Sequence, residues 1–82
     1  MMGYYDVFYW LINRRASGDD DYFTPAEIGR SLRQQGIVDN HVAGYCVQMQ
    51  RDGYAESRIN GDLKNWLREY RANSKSIKER YG

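Results

Sequence analysis

Five side chains on one side of a predicted helix over residues 40–51 are suited to contacts with the edges of nucleic-acid bases. They are Asn40, His41, Val47, Gln48 and Arg51. A carboxamide can form paired hydrogen bonds with adenine, a guanidinium can do so with guanine, and an aliphatic group can contact the thymine methyl. Gly44 lies among them and removes a side chain where close approach to a groove helps. The pattern therefore predicts contacts with bases. The alternative is that these side chains form an ordinary polar face in contact with solvent.

A capped helix precedes this face along the chain. Residues 24–27 read Thr-Pro-Ala-Glu. They supply a preferred N-cap, a proline at the first helical position and a glutamate that completes a capping box. Ile28 and Leu32 then recur at helical spacing, and Gly36 offers a left-handed stop. The sequence therefore predicts a short helix that ends near residue 35.

The helix that carries the polar face also needs an apolar inner side. Its predicted N-cap is Asp39, its inner stripe consists of Val42, Cys46 and Met49, and Gly53 ends it. Two helices joined by a link and sharing an apolar inner side are typical of a helix-turn-helix unit. Such a unit presents the outer face of its second helix to a partner.

The N-terminal helix, predicted over residues 4–15 or 4–16, has an apolar stripe and two large aromatics outside it. The stripe consists of Tyr4, Val7, Phe8, Leu11 and Ile12. Tyr9 and Trp10 fall toward the opposite side, and exposed aromatics are enriched at interfaces. We therefore expect self-association as a homodimer through these two residues. The alternative is that Trp10 covers an edge of the core beneath the C-terminal segment.

Two patterns compete in the last third of the chain. Asn60 and Gly61 predict a type I′ turn that closes a hairpin, with Ala55 opposite Trp66. Apolar residues at helical spacing predict instead one long helix over residues 63–81, with Asp62 as its N-cap. We take the hairpin as the prediction, and the long helix stays open as the alternative.

Charge is unevenly distributed along the chain, although the net charge is only +1. Residues 1–27 sum to −3, residues 28–62 to zero and residues 63–82 to +4. This gradient can orient the molecule toward a polyanion. Four cations on the predicted outer surface are suited to contacts with phosphate: Arg30, Arg33, Arg58 and Lys64. Each of them alone is more often a plain surface charge than a phosphate contact.

The rest of the composition argues against other classes of protein. Eighty-two residues suit a single domain, residues 1–82, with one modest core. The sequence has no catalytic constellation, Gly-rich phosphate loop or metal-ligand spacing, so we expect no enzyme, no cofactor and no metal. The single cysteine suits a reducing compartment, and no signal peptide or membrane span is recognisable. These features predict a cytoplasmic protein.

The order of these elements resembles the winged helix-turn-helix family. A helix, a capped helix, a link and a second helix are followed by Gly53, the apolar Tyr54 and Ala55, and a hairpin with Arg58 near its tip. The resemblance covers residues 4–70 or so and implies an α+β, mostly α fold. That fold comprises a three-helix core, a short hairpin wing and a C-terminal helix, which the sequence predicts from residue 73 onward.

The resemblance also implies a function. Members of this family are sequence-specific DNA-binding proteins that regulate transcription and are often dimeric. The resemblance therefore implies that the helix over residues 40–51 lies in the major groove of double-stranded DNA. Two alternatives remain. One is an all-α helix-turn-helix fold with a long C-terminal helix. The other is a winged-helix module that binds protein and not DNA, which the single permanent cation of the predicted recognition helix, Arg51, favours.

Overall fold

A computed structural model describes residues 3–37, 41–61 and 67–81 and shows an α+β fold that is mostly helical. Within these ranges the elements follow in the order α1 (Tyr4–Ala16), α2 (Pro25–Gln34), α3 (Val42–Arg51), β1 (Ala55–Asn60), β2 (Leu67–Ala72) and α4 (Ser74–Tyr81). The two strands form one antiparallel hairpin. No helix in the described part of the chain is long and apolar enough to cross a bilayer.

Helix α1 lies at the centre of the fold, in contact with α3, β2 and α4. The predicted boundaries of α1 are confirmed, and so is most of its stripe, since Val7, Leu11 and Ile12 are almost completely buried. These side chains belong to one core that also receives residues of α2, α3 and both strands.

The predicted exposure of Trp10 is wrong. Its side chain is only 9% exposed, because the indole ring packs edge-to-face on Phe23 with centroids 5.0 Å apart. The indole N–H also donates a hydrogen bond to Ser31 Oγ at 2.9 Å. Phe23 precedes α2 and Ser31 lies on it, so α2 and the residues that lead into it cover Trp10. The helical wheel of α1 placed Trp10 correctly relative to the main stripe, but it could not show that α2 buries a second side of the helix.

The predicted start of α2 is confirmed in detail. The Glu27 backbone N–H donates to Thr24 Oγ1 at 3.2 Å, and the Thr24 backbone N–H donates to Glu27 Oε1 at 3.1 Å. These two bonds satisfy backbone donors that a helix start leaves without partners. After the helix, Gly36 has a φ of +82°, the left-handed conformation that was expected of a glycine at this position. Ile28 and Leu32 are buried as predicted.

Helix α3 is confirmed, but it begins later than predicted. Its first helical residue is Val42 and its N-cap position is occupied by His41, so the cap does not fall at Asp39. Asp39 and Asn40 themselves lie outside the described residues. The inner stripe of Val42, Cys46 and Met49 is buried as expected.

The hairpin is confirmed and the long C-terminal helix is excluded, because residues 67–72 form β2. The predicted register is wrong. Ala55 pairs with Ala72, not with Trp66, and Asn60 pairs with Leu67. Asn60 therefore belongs to β1, and positive φ angles among the described residues occur only at glycines, so Asn60 and Gly61 do not form a type I′ turn.

Burial explains the observed register. It places Ala55, Tyr70 and Ala72 on the core side of the hairpin, where all three are buried. A further constraint comes from Phe23, whose backbone forms an antiparallel bridge with Tyr70 through two hydrogen bonds of 2.8 Å. The register of the hairpin is therefore the one that buries the apolar side of both strands.

Candidate functional site

The outer face of α3 is a continuous exposed stripe. Gly44, Val47, Gln48 and Arg51 occur at successive helical turns, and all of them are exposed. His41 is also exposed at the N-terminal end of the helix, with its ring 6.3 Å from that of Tyr45. The structure thus brings together four of the five residues predicted to contact bases, since Asn40 lies outside the described residues. Their common orientation results from the burial of the opposite side of α3.

No contact with the described part of the fold requires a glycine at position 44. Among the described residues, a Cβ atom added here would meet no atom of another element within 4 Å, so it would point into open space. Glycine in the middle of an exposed helix is about 0.5–1 kcal/mol less favourable than alanine. The chain therefore tolerates a less stable helix at a position where only an external partner could come close.

A surface groove runs between α2 and the start of α3. It has a volume of about 380 Å³ and is lined by Pro25, Ala26, Gly29, Arg30, Arg33, Val42 and Ala43. Arg30 and Arg33 are both exposed. Within the described residues, neither guanidinium takes part in an ion pair or a side-chain hydrogen bond. Both charges are thus available to an anion that approaches α3.

Arg58 lies in a different environment from the other predicted phosphate ligands. Its Nε donates to Glu69 Oε1 at 2.9 Å, and its guanidinium lies 4.4 Å from the centre of the Tyr22 ring. The Glu69 side chain is only 10% exposed. Moving Arg58 to a phosphate would leave that carboxylate without its cation, which is costly for a nearly buried charge. Lys64, the remaining predicted ligand, lies outside the described residues.

The same side of the hairpin carries a second ion pair. Arg71 Nε donates to Glu56 Oε2 at 2.9 Å, and its guanidinium lies 4.5 Å from the centre of the Tyr22 ring. Arg15 of α1 approaches the same Glu56 oxygen at 3.5 Å. Glu56 therefore raises the pKa of Arg71 further, chiefly through their hydrogen bond. These pairs fix the hairpin to α1 and leave little free charge on this face.

Cys46 has no environment for chemistry. Its side chain is completely buried, and burial raises the pKa of the thiol to about 12. A thiol reacts as its thiolate, so Cys46 is protonated and unreactive at neutral pH in the folded chain. It serves as a small apolar residue of the core, as the sequence predicted.

The self-association residues separate in the structure. Tyr9 is exposed at 37%, whereas Trp10 is buried against α2. The more exposed aromatic on α1 is Tyr5 at 64%, which sequence reasoning did not select. The sequence did contain a signal for Tyr5, because it lies four residues before Tyr9 and side chains at this spacing meet on a helix. In the structure the two rings stack with centroids 5.9 Å apart.

The described part of the chain therefore presents a polar stripe on α3, two unpaired arginines in the groove between α2 and the start of α3, and a separate tyrosine surface on α1. Comparisons with protein-family models, with curated proteins and with solved structures found no match for the chain.

Proposed function

We propose that the chain binds double-stranded DNA and acts as a transcription regulator of winged-helix type, with α3 as its recognition helix and the hairpin as its wing. The observation that carries this proposal is the groove between α2 and α3. There Arg30 and Arg33, two exposed guanidinium groups without partners among the described residues, line the groove together with Val42 and Ala43 at the start of α3. Arginine without an internal partner is suited to phosphate, and the adjacent helix is suited to the major groove.

In this arrangement the two arginines set the position of the protein and α3 reads the bases. Gln48 is the residue for adenine, Arg51 for guanine and Val47 for the thymine methyl, while His41 contacts the DNA at the start of the helix. Arg58 contributes less than a free cation, since Glu69 already neutralises it. A dimer would present two recognition helices and double the contact.

The salt dependence of DNA binding tests the phosphate contacts. Each phosphate contact contributes a slope of about −0.9 to the plot of log K against log salt. Replacing both Arg30 and Arg33 with Ala should therefore flatten the slope by about two units, measured by fluorescence anisotropy with mixed-sequence duplexes. Arg58→Ala should flatten it by less than about one unit, because the side chain is held by an ion pair.

Lys78→Ala is the matched control for charge. Lys78 is exposed on α4 and lies outside the groove between α2 and α3, so its removal should leave the slope unchanged. If Lys78→Ala flattens the slope as much as the arginine variants do, binding reflects overall charge and not this groove. If the folded wild type binds no duplex at low salt, the DNA proposal is wrong.

Gly44→Ala separates function from stability on α3. Because the new methyl group meets nothing and alanine favours helix, the variant should be about 0.5–1 kcal/mol more stable than wild type to chemical denaturation. If α3 enters a groove, the same methyl group should weaken DNA binding by about tenfold. A variant that is more stable and binds DNA as well as wild type would show that Gly44 does not face the DNA.

The alternative function is a winged-helix module that binds protein. One observation favours it: the described part of α3 has a single permanent cation, Arg51, and the wing cation Arg58 is already paired. The salt titration distinguishes the two functions, because a protein-binding module would not bind duplex DNA with a slope that depends on Arg30 and Arg33.

A further inference from the structure

A second recess lies on the side of α1 that faces α4, and we call it the tyrosine pocket. It has a volume of about 340 Å³ and is lined by Tyr4, Tyr5, Phe8, Tyr9, Asp52, Tyr54, Glu79 and Arg80. It shares no residue with the groove between α2 and α3. The tyrosine pocket is therefore separate from the surface proposed to bind DNA.

The rings of the pocket form a continuous aromatic wall. Phe8 is at its centre, with ring centroids 5.6 Å from Tyr4, 6.0 Å from Tyr5 and 5.5 Å from Tyr54. Tyr9 continues the wall by an edge contact with Phe8 at 5.4 Å. Most of these contacts are edge-to-face, which leaves several ring faces turned in different directions around one recess. Ring faces carry partial negative charge and attract cations.

Two carboxylates contribute to the same recess. The Tyr54 hydroxyl donates to Glu79 Oε1 at 3.1 Å, and the Tyr4 hydroxyl donates to Asp52 Oδ2 at 3.4 Å. Within the described residues neither carboxylate forms an ion pair. Burial and the charge of Asp52 raise the pKa of Tyr4 to about 12, so negative charge influences the wall itself. The pocket therefore combines ring faces with two anionic groups that have no cation bound to them.

The chain already shows which kind of group these rings accept. The Arg80 guanidinium lies 4.4 Å from the centre of the Tyr9 ring, and the Lys75 ammonium lies 4.8 Å from that of Tyr54. Both cations come from α4 and stay on the ring faces without pairing with Asp52 or Glu79. Because neither cation pairs with Asp52 or Glu79, both carboxylates keep acceptor oxygens that a further cation can bind.

We propose that the tyrosine pocket binds an arginine side chain presented by a partner polypeptide. A guanidinium is planar, so it can stack on a ring, and its fork of donors can bind a carboxylate through two hydrogen bonds. Asp52 and Glu79 supply the carboxylates, and Tyr5 supplies an open ring, since it is 64% exposed. The proposal does not depend on whether the groove between α2 and α3 binds DNA.

Titration with N-acetyl-arginine amide tests the proposal, observed through the NMR ring signals of the five aromatic residues. We expect saturable shifts at these rings at low ionic strength. The neutral isostere N-acetyl-citrulline amide should bind at least about fivefold more weakly, since it lacks the cation. N-acetyl-lysine amide should fall between the two, because an ammonium cannot stack or form a bidentate pair.

Variants of neighbouring residues should change the affinity in opposite directions. Asp52→Asn and Glu79→Gln should each weaken arginine binding about three- to tenfold, because each removes one carboxylate. Arg80→Ala should strengthen it about two- to threefold, because it removes a like charge and uncovers the Tyr9 ring. Asp21→Asn is the matched control, since Asp21 is an exposed acid outside the pocket, and it should have no effect.

Four results would overturn the proposal. The first is equal binding of the citrulline and arginine amides, which would mean that charge has no role. The second is binding that Asp52→Asn and Glu79→Gln both leave unchanged. The third is tighter binding of oligothymidylate than of the arginine amide to the same rings, which would identify a surface for stacking nucleobases. An absence of ring shifts up to tens of millimolar arginine amide would also refute it.

Discussion

Trp10→Ala should destabilise the fold by about 3–5 kcal/mol, a large part of the roughly 5–15 kcal/mol that holds a small domain together. The substitution removes a buried ring from its contact with Phe23 at 5.0 Å, and it also leaves Ser31 without the indole donor at 2.9 Å. Chemical denaturation measures the loss. The reaction of Cys46 with a thiol reagent gives an independent signal, because this thiol is protected while the chain is folded.

Three variants show which part of the Trp10 contact matters. Trp10→Phe keeps an aromatic ring and loses the N–H donor, so it should destabilise the fold less than Trp10→Ala does. Ser31→Ala removes the acceptor alone and should cost about 1–2 kcal/mol. Tyr5→Ala is the matched control, since it removes a ring from the exposed side of the same helix and should cost below about 1 kcal/mol. A Trp10→Ala variant as stable as Tyr5→Ala would contradict the buried contact.

This result also bears on self-association. A monomeric Trp10→Ala variant would say nothing about an interface, since the substitution removes a core contact between α1 and α2. Tyr9 is the residue to replace, because it is exposed at 37% and is not part of the buried core. Sedimentation of wild type and Tyr9→Ala therefore tests whether two copies meet through this side of α1.

Local patterns were sufficient to predict the described helices and most of their boundaries, although they placed the start of α3 too early. The capping box at Thr24 and Glu27, the stop at Gly36 and the inner stripe of α3 depend on residues within a few positions of one another. Such signals act through the backbone of one element and need no knowledge of its neighbours. The outer stripe of α3 followed directly, because the inner stripe fixes the orientation of the helix.

Features that depend on packing between elements were not predictable. The register of the hairpin is set by the burial of Tyr70 and Ala72 and by the bridge to Phe23, which is distant in sequence. The burial of Trp10 requires α2, and the ion pair of Arg58 requires the correct partner strand. The tyrosine pocket needs residues of α1, the α3–β1 connection and α4 together. None of these could be derived from the periodicity of a single segment.

Asn73→Ala should destabilise the fold by about 2–3 kcal/mol, because one side chain connects the ends of three elements. Its Oδ1 accepts a hydrogen bond from the Ser76 backbone N–H at 3.0 Å, which caps the start of α4. Its Nδ2 donates to the Gly53 carbonyl at 2.6 Å, at the turn between α3 and β1. The Asn73 backbone N–H also donates to the Tyr54 carbonyl at 3.0 Å. Loss of the side chain should therefore loosen α4 together with the start of β1.

Asn73→Asp and Asn60→Ala make this prediction specific. Asp retains a good helix cap but cannot donate to Gly53, and its carboxylate repels the Gly53 carbonyl oxygen that Nδ2 contacts at 2.6 Å. Asn73→Asp should therefore keep the cap of α4 while it destabilises the fold by about 1–2 kcal/mol. Asn60 is an exposed asparagine at the far end of β1, and Asn60→Ala should change the free energy of unfolding by less than about 0.5 kcal/mol. Amide hydrogen exchange should show faster exchange in α4 of Asn73→Ala than in α4 of either control. Equal exchange in all three variants would mean that Asn73 does not hold α4 against the end of α3.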